Sequence, residues 1–527
     1  MPVSTQPYLA EHFSVHREPV SGRHGIVASQ HHLASRVGAE VLEAGGNAVD
    51  AAVATALVLG VVEPWMSGIG GGGFMLVGEA ATGLVHEVDF GMLAPRGIDP
   101  DHYPLVEGYS GHDPLFSWPR VLEDRNQIGA YAVCVPGAIA GFSAAVARFG
   151  SMPWADLVAP AANLATRGLP VTWPATLEIA AGADTLRLFE TSRAIYLPDD
   201  LPPVAADAHK PIWLAMGRLS RTLERLAHAG PRDFYEGEIA NALVFDMQEA
   251  GGLLTAADLA GYQVEIRPAR AIPHRGALIH LTEAYSGGPT FARALGRTAG
   301  TLDPGLGVTA PAYCAWAAAL AEAFAHRLEH LGHAGDRVSR DVCTTHLSVV
   351  DRWGNMVALT NTLVESFGSR LTLPETGVLM NNGMFWFDPR AGHPNSLSAG
   401  ARPLSNMCPV LATREGKPWF ALGAAGGRRI VPATFQLTSL LADFGLNLDR
   451  AFAVPRLDVS GEDTVLADRR LSPAILAALG ERFDVTLSFD SVGMDEFAKP
   501  SAVLQRNGRQ WGAVPTVLAP ALAVAAR

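Results

Sequence analysis

Residues 343–363 read CTTHLSVVDRWGNMVALTNTL, and the reading of this stretch decides the fold. HLSVV and MVALTNTL are rich in apolar and β-branched residues, and DRWGN between them supplies Asp351, Gly354 and Asn355 for a tight turn. The pattern predicts a β-hairpin. A hairpin alone does not explain Thr344 and Thr345 at its entrance, or the Thr-x-Thr of Thr360 and Thr362 at its exit. A threonine hydroxyl is a weak nucleophile with no base of its own. As the first residue of a chain it acquires one, because its free α-amino group takes the hydroxyl proton. The polar, turn-like string HAGDRVSRDVCT, ending at Thr344, is the accessible linker that cutting the Cys343–Thr344 bond would require. Paired threonines at a strand start are also ordinary, and the hairpin by itself leaves both readings open.

Working outward, 527 residues with 48% apolar and 17% charged side chains describe a globular chain with a large core. The 54 glycines and 36 prolines follow no period and imply many turns in a sheet-containing fold. A net charge of −12 and the absence of a Lys/Arg run argue against nucleic acid and anionic membrane as partners. Four scattered cysteines (Cys134, Cys314, Cys343, Cys408) form no C-x-x-C pair, which excludes zinc ribbons and makes a disulfide framework a poor reading. The start, MPVSTQPYLAEHFSVHREPV, lacks the apolar core of a secretory signal, and the longest apolar run, Ala48–Val62, is too short to span a bilayer. A cytoplasmic protein with a buried helix over Ala48–Val62 is expected.

Other constellations carry less. The glycine loop SGIGGGGFMLV (Ser67–Val77) lacks the Gly-Lys-Ser/Thr of a phosphate cradle and runs into a strand, not a helix, so close packing near the site is expected instead. His326 and His330 stand four apart on a helix without a third ligand, so no metal site is assigned and no cofactor is expected. No G-x-S-x-G elbow occurs in a strand–turn–helix setting. YAVCV is expected as a strand, and a long helix is expected from Ala310 to Gly332.

The segments GGNAVDAAVATALVLGVVEPWMSGIGGGGFML, VPGAIAGF, GGLLTAADLAGY, SGGPT, EAFAHR, TTHLSVVDRWGNMVALTNTL, TGVLMNNGM, RPLSNMCP and GAAGGRRI follow one another along most of the chain. Together they resemble the γ-glutamyltransferase family of N-terminal-nucleophile hydrolases. The resemblance implies a mixed α/β, four-layer αββα sandwich. It implies a precursor cut between Cys343 and Thr344 into a large subunit, 1–343, and a small subunit, 344–527. The two would share one core as an αβ heterodimer, with pairing of two such units left open. It further implies Thr344 as nucleophile, Thr362 as the residue that orients it, and Gly426 and Gly427 as donors of an oxyanion hole.

The acyl pocket departs from that family. Trp386 and Gly383 in MNNGMFWFD stand where the family has an Asp for the glutamyl amine and a Gln. Val364 replaces an Asn, Gly91 an Arg, and the lid loop is reduced to SLSAGA. Arg370 in FGSR is new, with two readings, a surface ion pair or an anchor for a substrate carboxylate. With Trp386, Ser405 and Asn406 around the pocket, the expectation is a self-cleaving amidohydrolase acting on a small non-glutamyl amide such as oxamate. A cephalosporin or glutaryl side-chain acylase and a γ-glutamyl hydrolase or transpeptidase are the alternatives within the class. An inactive binding or scaffold relative is the alternative outside it.

Overall fold

The computed structural model describes residues 17–109, 118–205, 210–283, 285–331, 343–460, 464–488 and 496–527. Two seven-stranded sheets dominate. The first runs, in spatial order, Leu522–Ala525, Gly25–Ser29, Cys343–Asp351, Met356–Val364, Gly72–Gly78, Val85–Phe90 and Glu265–Pro268. The second runs Val20–Gly22, Arg509–Ala513, Lys499–Arg506, Lys417–Ala425, Val410–Arg414, Ala277–Leu281 and Arg270–His274. Every neighbouring pair within these two sheets is antiparallel.

Three apolar seams make the layers. Ile26, Leu76, Val350, Met356, Leu411, Ala421 and Val503 fill the space between the sheets. The outer face of the first sheet packs on a helical layer that includes His32–Glu43, Ala48–Val62 and Ala138–Phe149. The outer face of the second packs on Gly288–Thr298, Ala310–His326 and Ile430–Ala442. The result is the expected αββα sandwich.

The predicted hairpin is the centre of the first sheet, Cys343–Asp351 against Met356–Val364. Asp351 closes its turn, accepting from the N–H groups of Trp353 and Asn355, both at 2.9 Å. It also accepts from the N–H of Ala48 at 3.1 Å, which ties the start of the buried helix to the turn. That helix opens with Asn47 and Asp50 in a reciprocal capping box, and apart from Gly60 every residue of Ala48–Val62 is buried.

Two expectations are corrected. YAVCV is not a strand; it holds a 3₁₀ turn, Ala130–Ala132, and a single bridge between Leu93 and Val135. The helix from Ala310 stops as α at His326 and continues as one π-helical turn, Arg327–Leu331. The polar linker from 332 to 342 lies outside the described residues.

Candidate active site

Thr344 sits where the hairpin register breaks. Cys343 pairs with Val364 and Thr345 with Asn361, so Thr344 has no directly opposed partner while two residues, Thr362 and Leu363, lie opposite it. Such a bulge re-aims a side chain that a regular strand would bury in the sheet packing. The Thr344 hydroxyl oxygen lies 2.6 Å from the Cys343 carbonyl oxygen and 3.2 Å from Thr362 Oγ1. Thr362 Oγ1 is 2.6 Å from the same Cys343 carbonyl and accepts from the Val364 N–H at 2.9 Å. Two hydroxyl protons serve these three oxygen–oxygen contacts: Thr362 donates to the Cys343 carbonyl, and the Thr344 proton is shared between that carbonyl and Thr362 Oγ1.

The glycine loop explains how Thr362 is reached. A Cβ on Gly71 would stand 2.2 Å from the Thr362 carbonyl, and one on Gly73 would stand 2.0 Å from that of Thr360. The glycines let the Gly72–Gly78 strand lie flat on the strand that carries Thr362, as the sequence led us to expect. Gly426 and Gly427 close the other side, between the strand Lys417–Ala425 and the helix Ile430–Ala442. Both have positive φ, 135° and 52°, and a Cβ on Gly426 would meet the Ala498 backbone at 2.8 Å. They precede the helix Ile430–Ala442, whose first amides have no partner inside it, and Gly427 lines the cavity that holds Thr344.

Thr344 and Gly427 line one small cavity with Val364, Trp386, Asn406, Met407 and Ile430. Its volume of about 10 Å³ holds a single water. Four of its walls are apolar side chains. Besides Thr344, Asn406 brings the one polar side chain. Ser405 lies beside it, buried, with no partner for its Oγ among the described residues, and its N–H donates to the Tyr285 carbonyl at 2.9 Å.

The departures have structural causes. Arg370 does not line this cavity. Its guanidinium faces inward, to Glu365 Oε2 at 3.1 Å and the Gly368 carbonyl at 2.6 Å. Glu365 is buried and also accepts from Gln127 and Asn382. The contacts are those of the ion-pair reading, though the pair is buried rather than on the surface. Asp388, two positions after Trp386, is clasped by Arg390 at 2.7 and 2.9 Å. Gly383 has no room for a side chain, since a Cβ there would stand 2.8 Å from Cys134. Of the aromatic run Phe385–Phe387, only Trp386 reaches the cavity. Asn381 and Asn382 brace the loop, donating to the carbonyls of Gly70 at 2.7 Å and Gln127 at 3.1 Å.

Sequence reasoning missed Glu63. It is buried at the end of the apolar helix, with its carboxyl hydrogen-bonded to Thr345, next to Thr344. Burial pushes that carboxyl up to about 8, against the Thr345 hydrogen bond and the more distant charge of Lys499. His346 is likewise buried between Thr360 and Ser348, and burial pushes its imidazole down to about 3, so it stays neutral. His326 and His330 stack ring on ring at 4.5 Å, and among the described residues no group of three His, Cys, Asp or Glu side chains is placed to hold a metal.

An αββα sandwich with a threonine at the head of a central strand, facing the glycines that end the opposing sheet's strand, has the layout of N-terminal-nucleophile hydrolases. The gamma-glutamyltranspeptidase family model matches residues 34–343 and 306–515, and the chain belongs to that family. Acylase ACY 1 proenzyme of Pseudomonas sp. (strain SE83) is 34% identical over 495 residues, 86% of each chain. The glutathione hydrolase proenzyme of Escherichia coli (strain K12) is 31% identical over 513 residues, 88% of this chain and 85% of that one. The crystal structure of cephalosporin acylase from Bacillus halodurans superposes with a TM-score of 0.85 over 99% of both chains, at 24% identity. Family membership makes the chain an amide-bond hydrolase, and these relatives are made as proenzymes. Among the described residues no helix is long and apolar enough to cross a membrane.

Proposed function

We propose that this chain cuts itself before Thr344 and then hydrolyses amides whose acyl group is mainly apolar and carries no α-ammonium. The observation that carries this reading is the cavity wall. Val364, Trp386, Met407 and Ile430 surround Thr344, with Asn406 as the polar side chain among them and no charged one among the described residues. A glutamyl ammonium brought into such walls would lose its hydration without gaining a partner, at a cost of several kcal/mol. Oxamate, the small anionic amide expected from the sequence, would need a cation, and Arg370 is turned to Glu365. The acylase alternative is therefore preferred, in keeping with the ACY 1 relative.

The mechanism runs in two stages. Thr344 Oγ1 attacks the Cys343 carbonyl carbon while Thr362 donates to the developing oxyanion, and its proton passes to the departing Thr344 nitrogen. An ester links Cys343 to Thr344 Oγ1, and water hydrolyses it, leaving a carboxylate on Cys343 and a free α-amine on Thr344. That amine then takes the hydroxyl proton as Thr344 attacks the substrate amide. The Gly426 and Gly427 N–H groups hold the tetrahedral oxyanion, a type of contact worth roughly 3–4 kcal/mol per donor. The amine leaves with the proton, and water releases the acyl group.

The test is a panel of p-nitroanilides, valeryl, glutaryl and γ-glutamyl, with ammonia release from oxamate alongside. The reading predicts that kcat/KM for valeryl or glutaryl exceeds that for γ-glutamyl by about tenfold or more, since 1.4 kcal/mol of unpaired charge suffices. A γ-glutamyl preference would overturn it.

A further inference from the structure

Asn406 is held from behind by a buried arginine. Arg327 is 1% exposed and sits in the single π-helical turn that follows the helix Ala310–His326. One terminal nitrogen, Nη2, donates to the Ser405 carbonyl at 2.6 Å and to Asn406 Oδ1 at 3.0 Å. The other, Nη1, donates to the Ser286 carbonyl at 3.1 Å and to Thr290 Oγ1 at 3.2 Å. No carboxylate pairs with it among these contacts. Burial and the nearby charge of Arg428 push it down to about 9.

An arginine has only donors, so the carboxamide oxygen of Asn406 must face it, and the amide nitrogen must face the other way. Among the described residues Asn406 Nδ2 donates to no acceptor, and Asn406 lines the cavity beside Thr344. The neighbouring Ser405 Oγ is buried and equally without a partner.

We propose that Arg327 is a positioning residue that sets specificity: it fixes Asn406 so that this side chain offers the acyl chain a hydrogen-bond donor and not an acceptor. The chemistry recognised is a carbonyl or carboxylate oxygen on the acyl chain, and an ammonium finds the Asn406 oxygen already taken by Arg327. This rests on the proposed acylase reading and refines its substrate class. Arg327 precedes the cleavage point and Asn406 follows it, so both cleavage products are needed to form the subsite.

The test uses the cleaved enzyme carrying R327M, R327K, N406A and the R327M/N406A pair, with valeryl- and glutaryl-p-nitroanilide as probes. Both probes have five-carbon acyl chains, and only glutaryl ends in an acceptor. R327M should raise KM for glutaryl by about tenfold, the loss of one well-placed hydrogen bond, with kcat and the valeryl KM little changed. R327K should recover part of that loss. On the N406A background, R327M should change KM no further. Equal losses on both anilides, or an unchanged R327M effect without Asn406, would overturn the assignment. R327M strands four acceptors, so R327K, judged by the same KM split, serves as the variant if R327M does not fold. A wild type that prefers γ-glutamyl-p-nitroanilide would sink the acylase reading alone, and the R327M/N406A comparison would then be read on that substrate.

Discussion

Thr362 donates its hydroxyl to the carbonyl of Cys343 at 2.6 Å, across the two strands of the central hairpin. The residue that the family resemblance assigns to orienting the nucleophile thus also polarises the bond proposed to be cut. Thr362→Val keeps the shape and removes the donor. Loss of a single oxyanion donor costs about 10²–10³ in rate, so cleavage before Thr344 should slow by that order. Thr362→Ser should restore most of it. Intact-mass time courses on freshly made chain would read both, and equal rates for Val and wild type would contradict the assignment.

Arg370 and Glu365 form a buried pair at 3.1 Å. Arg370→Met leaves Glu365 uncompensated, and breaking such pairs destabilises by about 3–5 kcal/mol. The expected outcome is a clear fall in the urea midpoint with an unchanged KM in enzyme that remains folded. A raised KM at unchanged stability would return Arg370 to the role of substrate anchor.

Glu63 makes stability depend on pH. Its carboxyl is raised from 4.5 to about 8 in the folded chain, so the folded state holds the proton more tightly than the unfolded one. Stability contributed by the protonated form is present below the unfolded value and is lost as pH rises through the folded one. The slope across that window is at most about 1.4 kcal/mol per pH unit. Glu63→Gln should flatten it, so that the variant gains on wild type from about pH 5 to about pH 8 in unfolding midpoints. Parallel curves for the two proteins would contradict the reading. Glu87, raised to about 7, adds its own slope to both, which the comparison cancels.

Val364 is β-branched, 1% exposed, and held at φ 91°. That region costs an ordinary side chain about 1–3 kcal/mol. The family's asparagine tolerates it better than valine does. Val364→Gly should therefore destabilise by about 2 kcal/mol less than Val357→Gly, at a buried and regular position of the same strand. Equal losses would remove the argument that an apolar wall is kept here at the expense of backbone strain.

Much of the fold was legible in the sequence because its signals are local. The hairpin, the buried helix with its Asn47 cap and the glycine loop each follow from residues within a few positions of one another. What escaped is non-local. The bulge at Thr344 depends on how two strands register, and nothing in CTTHLS announces it. Glu63 ends a helix so uniformly apolar that its carboxyl reads as a surface terminus, when in fact the neighbouring strand covers it. The linear nearness of Arg370 to Thr362 suggested a pocket residue, but positive φ at Phe367, Gly368 and Arg370 folds the segment back on Glu365. Arg327 was legible only as part of EAFAHR, because its partners lie 37 to 79 positions away.

The central claim is that Thr344 becomes a new N-terminus and then the nucleophile. Intact mass of the purified protein beside its Thr344→Ala variant tests it most directly. The account predicts two fragments, residues 1–343 and 344–527, in the wild type and one uncut chain in the variant. A single chain of 527 residues in both would contradict it and leave a binding or scaffold relative as the better reading.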